Sequence, residues 1–176
     1  MKFLSPLLLS LTFLLHSCSS DFDVAIANNN VNLLGYWIAT DVEFSGMSTV
    51  NATGQATQQY ELSGQTLSTD LNIAFMQNPD IFVSNGGIVF ELQTTGNGTT
   101  TTEETSNIDF FARSASWERE GTTISVTAND ITQQYQIEEL TPSRLVLTHQ
   151  GSHTSTDETT GATTQMSLTS RIVFAK

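Results

Sequence analysis

The chain has 176 residues, 38% of them hydrophobic, and its six Lys and Arg against eighteen Asp and Glu give a formal net charge of −12. Displacing the counterions condensed on a nucleic acid requires clustered cations, and the basic residues here are few and scattered, so nucleic-acid binding is excluded. A single cysteine excludes a disulfide framework, which leaves packing to stabilise the fold.

Lys2 supplies a positive charge, residues 3–15 form an apolar run broken only by Ser5, Pro6, Ser10 and Thr12, and the small Ser17 stands before Cys18. That order of charge, apolar run and small residue describes a secretory leader. The run is about 13 residues, short of the about 20 that a spanning helix needs. Leu15-His16-Ser17-Cys18 resembles the lipobox of bacterial lipoproteins. The resemblance implies a diacylglycerol on the thiol of Cys18, cleavage before it, residues 1–17 as signal peptide, and the membrane as a partner through that lipid. Two or three acyl chains, at about 0.8 kcal/mol per buried CH₂, hold a protein firmly. An ordinary leader cut nearby, with Cys18 a free thiol, is the other reading, but a lone cysteine suits an oxidising compartment poorly. Loss of Lys2 with the leader takes the formal charge to −13.

Residues 18–32 carry Ser19-Ser20-Asp21-Phe22-Asp23 and Asn28-Asn29-Asn30, a composition too polar to bury itself and suited to a tether. Its early acids look like the export signal of surface lipoproteins of Bacteroidetes. This resemblance implies the outer membrane and its surface-facing leaflet, with the periplasmic leaflet as the alternative.

From residue 33 the chain reads as one domain made of strands. Residues 31–44 set Leu34, Tyr36 and Ile38 on one face of an extended chain and Gly35, Trp37 and Ala39 on the other. Gly35 permits a bend or close backbone approach, and Trp37 reads as a core plug with its N–H bonded nearby. Gly46, Gly54 and Gly64 are turn signals that divide a polar stretch. Leu71, Ile73 and Phe75 alternate with Asn72, Ala74 and Met76, the period of a sheet with one buried face. Asn78-Pro79-Asp80 predicts a turn, and Asn85-Gly86-Gly87 predicts a hairpin reversal because both residue types tolerate positive φ. Ile88, Phe90 and Leu92 alternate again, Gly96-Asn97-Gly98 turns, and the threonines of residues 99–105 suit a strand with a wet face. Phe110 and Phe111 are placed to close one end of the interior. Residues 116–127 form a hairpin about Glu120-Gly121, Asn129-Asp130 turns into a strand with Tyr135 and Ile137 on one face, and Thr141-Pro142-Ser143 leads to Leu145 and Leu147. A long loop over residues 151–161 precedes the closing strand with Met166, Leu168, Ile172 and Phe174. No stretch has a helical period.

Short, regularly spaced strands without helices indicate a sandwich or an up-and-down barrel. Leu34-Gly35-Tyr36-Trp37, the central Ser-x-Trp-Glu with Trp117, and then Ile137-Glu138-Glu139-Leu140-Thr141 and Leu145-Val146-Leu147-Thr148 resemble lipocalin-like lipoproteins of Bacteroidetes over residues 33–176. The resemblance implies an all-β fold, an antiparallel up-and-down β-barrel of about eight to ten strands, wide enough for one small ligand. It also implies structural roles for Gly35, Trp37 and Trp117.

Hydrolytic chemistry needs a nucleophile beside a base, or two carboxylates with separated pKa values. Neither is legible, so no catalytic residue, no cofactor and no enzyme activity are predicted. His149 and His153 could share a strand face, but an exposed pair is the simpler reading and no metal site is predicted. Neighbouring acids such as Glu103-Glu104 and Glu138-Glu139 point to opposite faces of a strand. Asn51-Ala52-Thr53 and Asn97-Gly98-Thr99 match the glycosylation pattern by accident in such a lipoprotein. Arg113 and Arg171 lie in apolar surroundings and either meet a ligand's carboxylate or form surface ion pairs. Two functions follow: a barrel holding a small apolar or amphipathic molecule, or a filled barrel acting as an envelope accessory through protein or glycan contacts. The inward set of Ile73, Phe75, Phe90, Ile124, Val126 and Leu147 separates them, because a lumen that these side chains fill leaves no cavity.

Overall fold

The computed structural model describes residues 33–106 and 111–176. The leader, Cys18, the tether and Phe110 lie outside the described residues. Within them the chain forms β1 (Gly35–Asn51), β2 (Gln58–Thr69), β3 (Asn72–Met76), β4 (Ile81–Asn85), β5 (Ile88–Gly96), β6 (Thr99–Ser106), β7 (Ser114–Glu120), β8 (Thr123–Ala128), β9 (Ile131–Leu140), β10 (Arg144–Thr156) and β11 (Thr163–Ala175). All pairings are antiparallel.

The strands follow the order β11-β10-β9-β8-β7-β4-β3-β1-β2-β5-β6, and β11 also pairs with β1. That last pairing closes a barrel of eight strands and leaves β2, β5 and β6 outside the ring. Their position follows from the length of β1. One edge of β1 meets β11 from Ile38 to Asn51, while its other edge meets β3 at Gly35 to Ile38 and β2 at Glu43 to Val50. β2 and β3 are thus two parts of one returning strand. By the same logic β4 pairs with β3 while β5 pairs with β2, and β7 pairs with β4 while β6 pairs with β5. The chain is an up-and-down meander in which three long strands are interrupted. One side of the interruptions builds the barrel. The other side continues as a sheet extension, the wing, in the order β10-β11-β1-β2-β5-β6, and Phe44, Ile88 and Phe90 at its start are still buried with the core.

This geometry corrects three sequence expectations. Asn85-Gly86-Gly87 does not reverse the chain: β4 and β5 run in the same direction, and the glycines mark an interruption between them. Gly86 adopts φ +84° with no room for a side chain against the Asp70 carbonyl, and the Asp70 carboxylate accepts the Gly87 N–H at 2.6 Å. The same positive φ that makes hairpins here makes a break, because the flanking segments pair with different neighbours. Gly46 and Gly64 lie within strands rather than at turns. A side chain on Gly64 would strike the Phe44 ring directly across the ladder, and one on Gly46 would strike Leu168 and the Ser167 carbonyl. Each glycine leaves room for its neighbour's side chain, and the Phe44 ring that crosses Gly64 is itself buried, edge to face with Phe90 at 5.2 Å. Residues 151–156 belong to β10 and are not part of a long loop.

Inside the ring the packing is dense. Trp37, Tyr135, Phe75, Phe82, Phe174, Ile73, Ile124, Leu145, Leu147, Ile172 and Val42 of the ring strands are among the largest fully buried side chains, and Phe90 of β5 is buried with them. Edge-to-face contacts join Trp117 to Phe75 at 5.1 Å and Phe75 to Phe82 at 5.2 Å. The row continues from Phe82 to Phe111 at 5.4 Å and from Phe111, stacked, to Tyr135 at 4.8 Å. Each such pair adds about 0.5–1.5 kcal/mol to the area that its members bury.

Candidate functional site

The two ends of the barrel differ because their closing residues differ. At one end Trp37 is completely buried, its indole N–H donates to the Leu33 carbonyl at 2.8 Å, and the Lys176 ammonium lies 4.4 Å from its ring centre. Lys176 also donates to the Leu34 carbonyl at 3.0 Å, so its side chain clamps the entrance to β1. Gly35 holds φ +112°, and the Cβ it lacks would sit at an ordinary contact distance from Lys176; conformation rather than space demands glycine here. Trp117 is half-buried, and its indole N–H donates to the Met76 carbonyl at 2.8 Å.

The other end opens towards the wing. Beyond the pairing of Thr148 with Gln136, β9 and β10 part. The β8–β9 turn at Asn129-Asp130, both at positive φ, stands on one side of the opening. Phe111 enters from the segment before β7 and stacks on Tyr135 with Phe174 6.2 Å away, so its ring stops the interior at this mouth. Outside that ring lies a pocket of about 460 Å³ lined by Phe111, Ala112, Arg113, Val126, Ala128, Asn129, Ile131 and Gln133. Ile131 is 68% exposed on its rim. Arg113 makes no ion pair among the described residues. The pocket is open to solvent, with a mixed apolar and polar lining, and its volume falls in the range of small-ligand sites.

Tyr135 forms the floor behind Phe111. Its hydroxyl donates to Gln133 Oε1 at 3.0 Å, and burial pushes its pKa above the ordinary phenol value of 10.0. The phenol therefore stays neutral and serves as a donor. His149 packs 4.8 Å from the Tyr135 ring and places Nδ1 2.8 Å from the Gln134 carbonyl, bridging the gap where β9 and β10 separate. His153 lies on the same face of β10, four residues further on. At about 3.3 Å per residue the two cannot share a small ion. Among the described residues no three His, Cys, Asp or Glu side chains come together to hold a metal.

A second concavity of about 510 Å³ crosses the outer face where barrel and wing join. Register aligns Thr148, Arg171, Glu43, Gln65 and Glu91 across five strands. Arg171 bridges Glu138 at 2.9 Å and Glu43 at 3.5 Å, and the hydrogen bond it donates to the Glu138 carboxylate raises its already high pKa. Gln65 and Gln93 both donate to Glu91. These side chains are substantially exposed and engage one another, so each ion pair is worth about 0–1 kcal/mol. The two arginines singled out in the sequence thus part company: Arg171 joins a surface network and Arg113 faces the pocket. Phe111 was legible as an end-closing residue. Ala128, Ile131 and Gln133 were missed, although the Asn129-Asp130 turn that presents them was visible.

The fold and this site define a closed all-β barrel with a filled lumen and a pocket at its mouth. No protein-family model and no curated protein matches the chain. It is similar to the solved structure of a polyisoprenoid binding domain from Saccharophagus degradans implicated in plant cell wall breakdown, with 7% sequence identity and a TM-score of 0.27, covering 81% of this chain and 98% of that one. A likeness at that level assigns this chain neither ligand nor site.

Proposed function

We propose that the protein is a non-enzymatic lipoprotein of the outer membrane, held by lipid on Cys18 and facing the cell surface, whose lipocalin-like barrel binds a small amphipathic molecule at its mouth. The observation that carries the binding is the pocket outside Phe111. Its apolar wall of Phe111, Ala112, Val126, Ala128 and Ile131 suits a hydrocarbon part, and Arg113 and Gln133 suit a polar or anionic head. The leader, the resemblance of Leu15-His16-Ser17-Cys18 to a lipobox, and the acids after Cys18 support the anchor and the surface location.

A second reading has its own observation. Ile73, Phe75, Ile124, Val126 and Leu147 of the barrel strands are all buried, and Phe90 of β5 is buried with them, so the barrel holds side chains where a deep calyx would hold ligand. On this reading the protein is an accessory of an envelope assembly and acts through its surface.

Native mass spectrometry on protein extracted gently from its own envelope separates the two. The binding reading expects a recurring extra mass beyond the acyl chains on Cys18, reduced in Arg113→Ala. A clean mass for folded protein favours the accessory reading. Cys18→Ala tests the anchor in the same preparation: the variant leaves the membrane fraction, and a variant that stays membrane-bound with unchanged mass refutes it.

A further inference from the structure

Among the described residues, residues 150–156 of β10 pair with a neighbour on one side only. β11 pairs with them without a register shift as far as Thr156 with Thr163, whereas β9 has already left at Thr148. Apart from the half-buried Gly151, they are exposed. A free strand edge offers a row of unpaired N–H and C=O groups, and soluble proteins blunt such edges with charge, proline, bulges or brevity. Gln150-Gly151-Ser152-His153-Thr154-Ser155-Thr156 has none of these: no Asp, Glu, Lys, Arg or Pro, and no bulge against β11. The opposite edge of the wing is guarded, since β6 carries Glu103 and Glu104.

We infer that the β10 edge is a pairing surface whose occupant is a second copy of this chain, added antiparallel about a two-fold axis. Charge selects this arrangement. Chains of formal charge −12 repel each other, and this edge is a place where two copies meet without opposing carboxylates. Two-fold pairing sets the neutral stretch against itself, where Ser and Thr hydroxyls form cross-strand hydrogen bonds. It leaves Glu103 and Glu104 of each copy at the far ends of one continuous sheet. Pairing β10 with β6 of another copy would instead bring those acids into the contact and generate an open-ended array. The inference goes beyond ligand binding at the mouth and does not depend on it.

One short strand per copy buries less than the roughly 1,200 Å² of a stable complex, so the dimer is weak and concentration-dependent. The test is sedimentation equilibrium on the full chain carrying Cys18→Ala, which removes the lipid, from micromolar to near-millimolar concentration. The expected result is a reversible monomer–dimer equilibrium, weakened by about tenfold or more in Thr154→Lys, each copy bringing the added charge to the edge. Thr101→Lys on β6 leaves it unchanged. Hydrogen exchange at residues 150–156 should slow as concentration rises, which reports the contact independently of the substitutions. A monomer throughout, unbounded oligomers, or a dimer sensitive to Thr101→Lys and not to Thr154→Lys overturns the inference.

Discussion

Trp37 shows how one residue fastens several segments. Its indole is fully enclosed, its N–H holds Leu33 at the start of the barrel, and Lys176 covers its ring. Trp37→Ala removes the largest side chain at the closed end and should cost about 3–5 kcal/mol, read as a shift in the urea midpoint. A negligible loss would show that the closed end does not depend on it. Tyr135 supplies a test by pH. Burial raises its folded pKa above the unfolded value of 10.0, so its stabilising contribution is intact below about pH 10. Above that value the unfolded chain ionises first, and stability falls as pH climbs towards the folded pKa. Tyr135→Phe should lose about 1 kcal/mol at neutral pH with the hydroxyl's bond to Gln133. It should also flatten the alkaline decline of the unfolding free energy above pH 10. An unchanged alkaline limb would mean that another group governs it.

At the scale of elements, Gly86 and Gly98 form a matched pair. Both adopt positive φ, +84° and +76°, but a Cβ on Gly86 strikes the Asp70 carbonyl while one on Gly98 meets open space. Gly98→Ala should therefore cost about 1 kcal/mol for its backbone alone, and Gly86→Ala clearly more. Equal losses by chemical denaturation would show that the interruption between β4 and β5 tolerates a side chain. The comparison also shows what a sequence discloses. Period-two alternation revealed the strands around Ile73, Phe90, Ile124 and Leu147, because burial on one face imprints itself locally. Asn85-Gly86 and Asn97-Gly98 look alike along the chain, yet the first interrupts a long strand and the second turns a hairpin. The difference lies in which distant strand each flank joins. Gly46 and Gly64 misled for a related reason: their partners, Leu168 and Phe44, lie on neighbouring strands. The stretch after His149 reads as loop since serine, threonine and glycine abound, and only pairing with β11 makes it strand.

For the whole molecule, the barrel and wing give two ends with different chemistry. Leu33, where the described chain begins, packs at the closed end, opposite the mouth. The anchor proposed on Cys18 would join the barrel at this end. Of the pocket, Phe111, Arg113 and Val126 could be found in sequence. Ala128, Ile131 and Gln133 could not, because the β8–β9 turn approaches Phe111 only through the closure of the barrel. On the proposed function, binding occurs outside the Phe111 ring and not in the lumen. Its most direct test is an NMR titration with dodecanoate, alongside dodecanol as the uncharged counterpart. Binding at the mouth should shift the resonances of Phe111, Ala112, Val126 and Ile131, leave Ile73, Phe75 and Leu147 unperturbed, and be weaker for dodecanol, and for dodecanoate with Arg113→Ala. Shifts centred on Ile73, Phe75 and Leu147, or none for either compound, would contradict it.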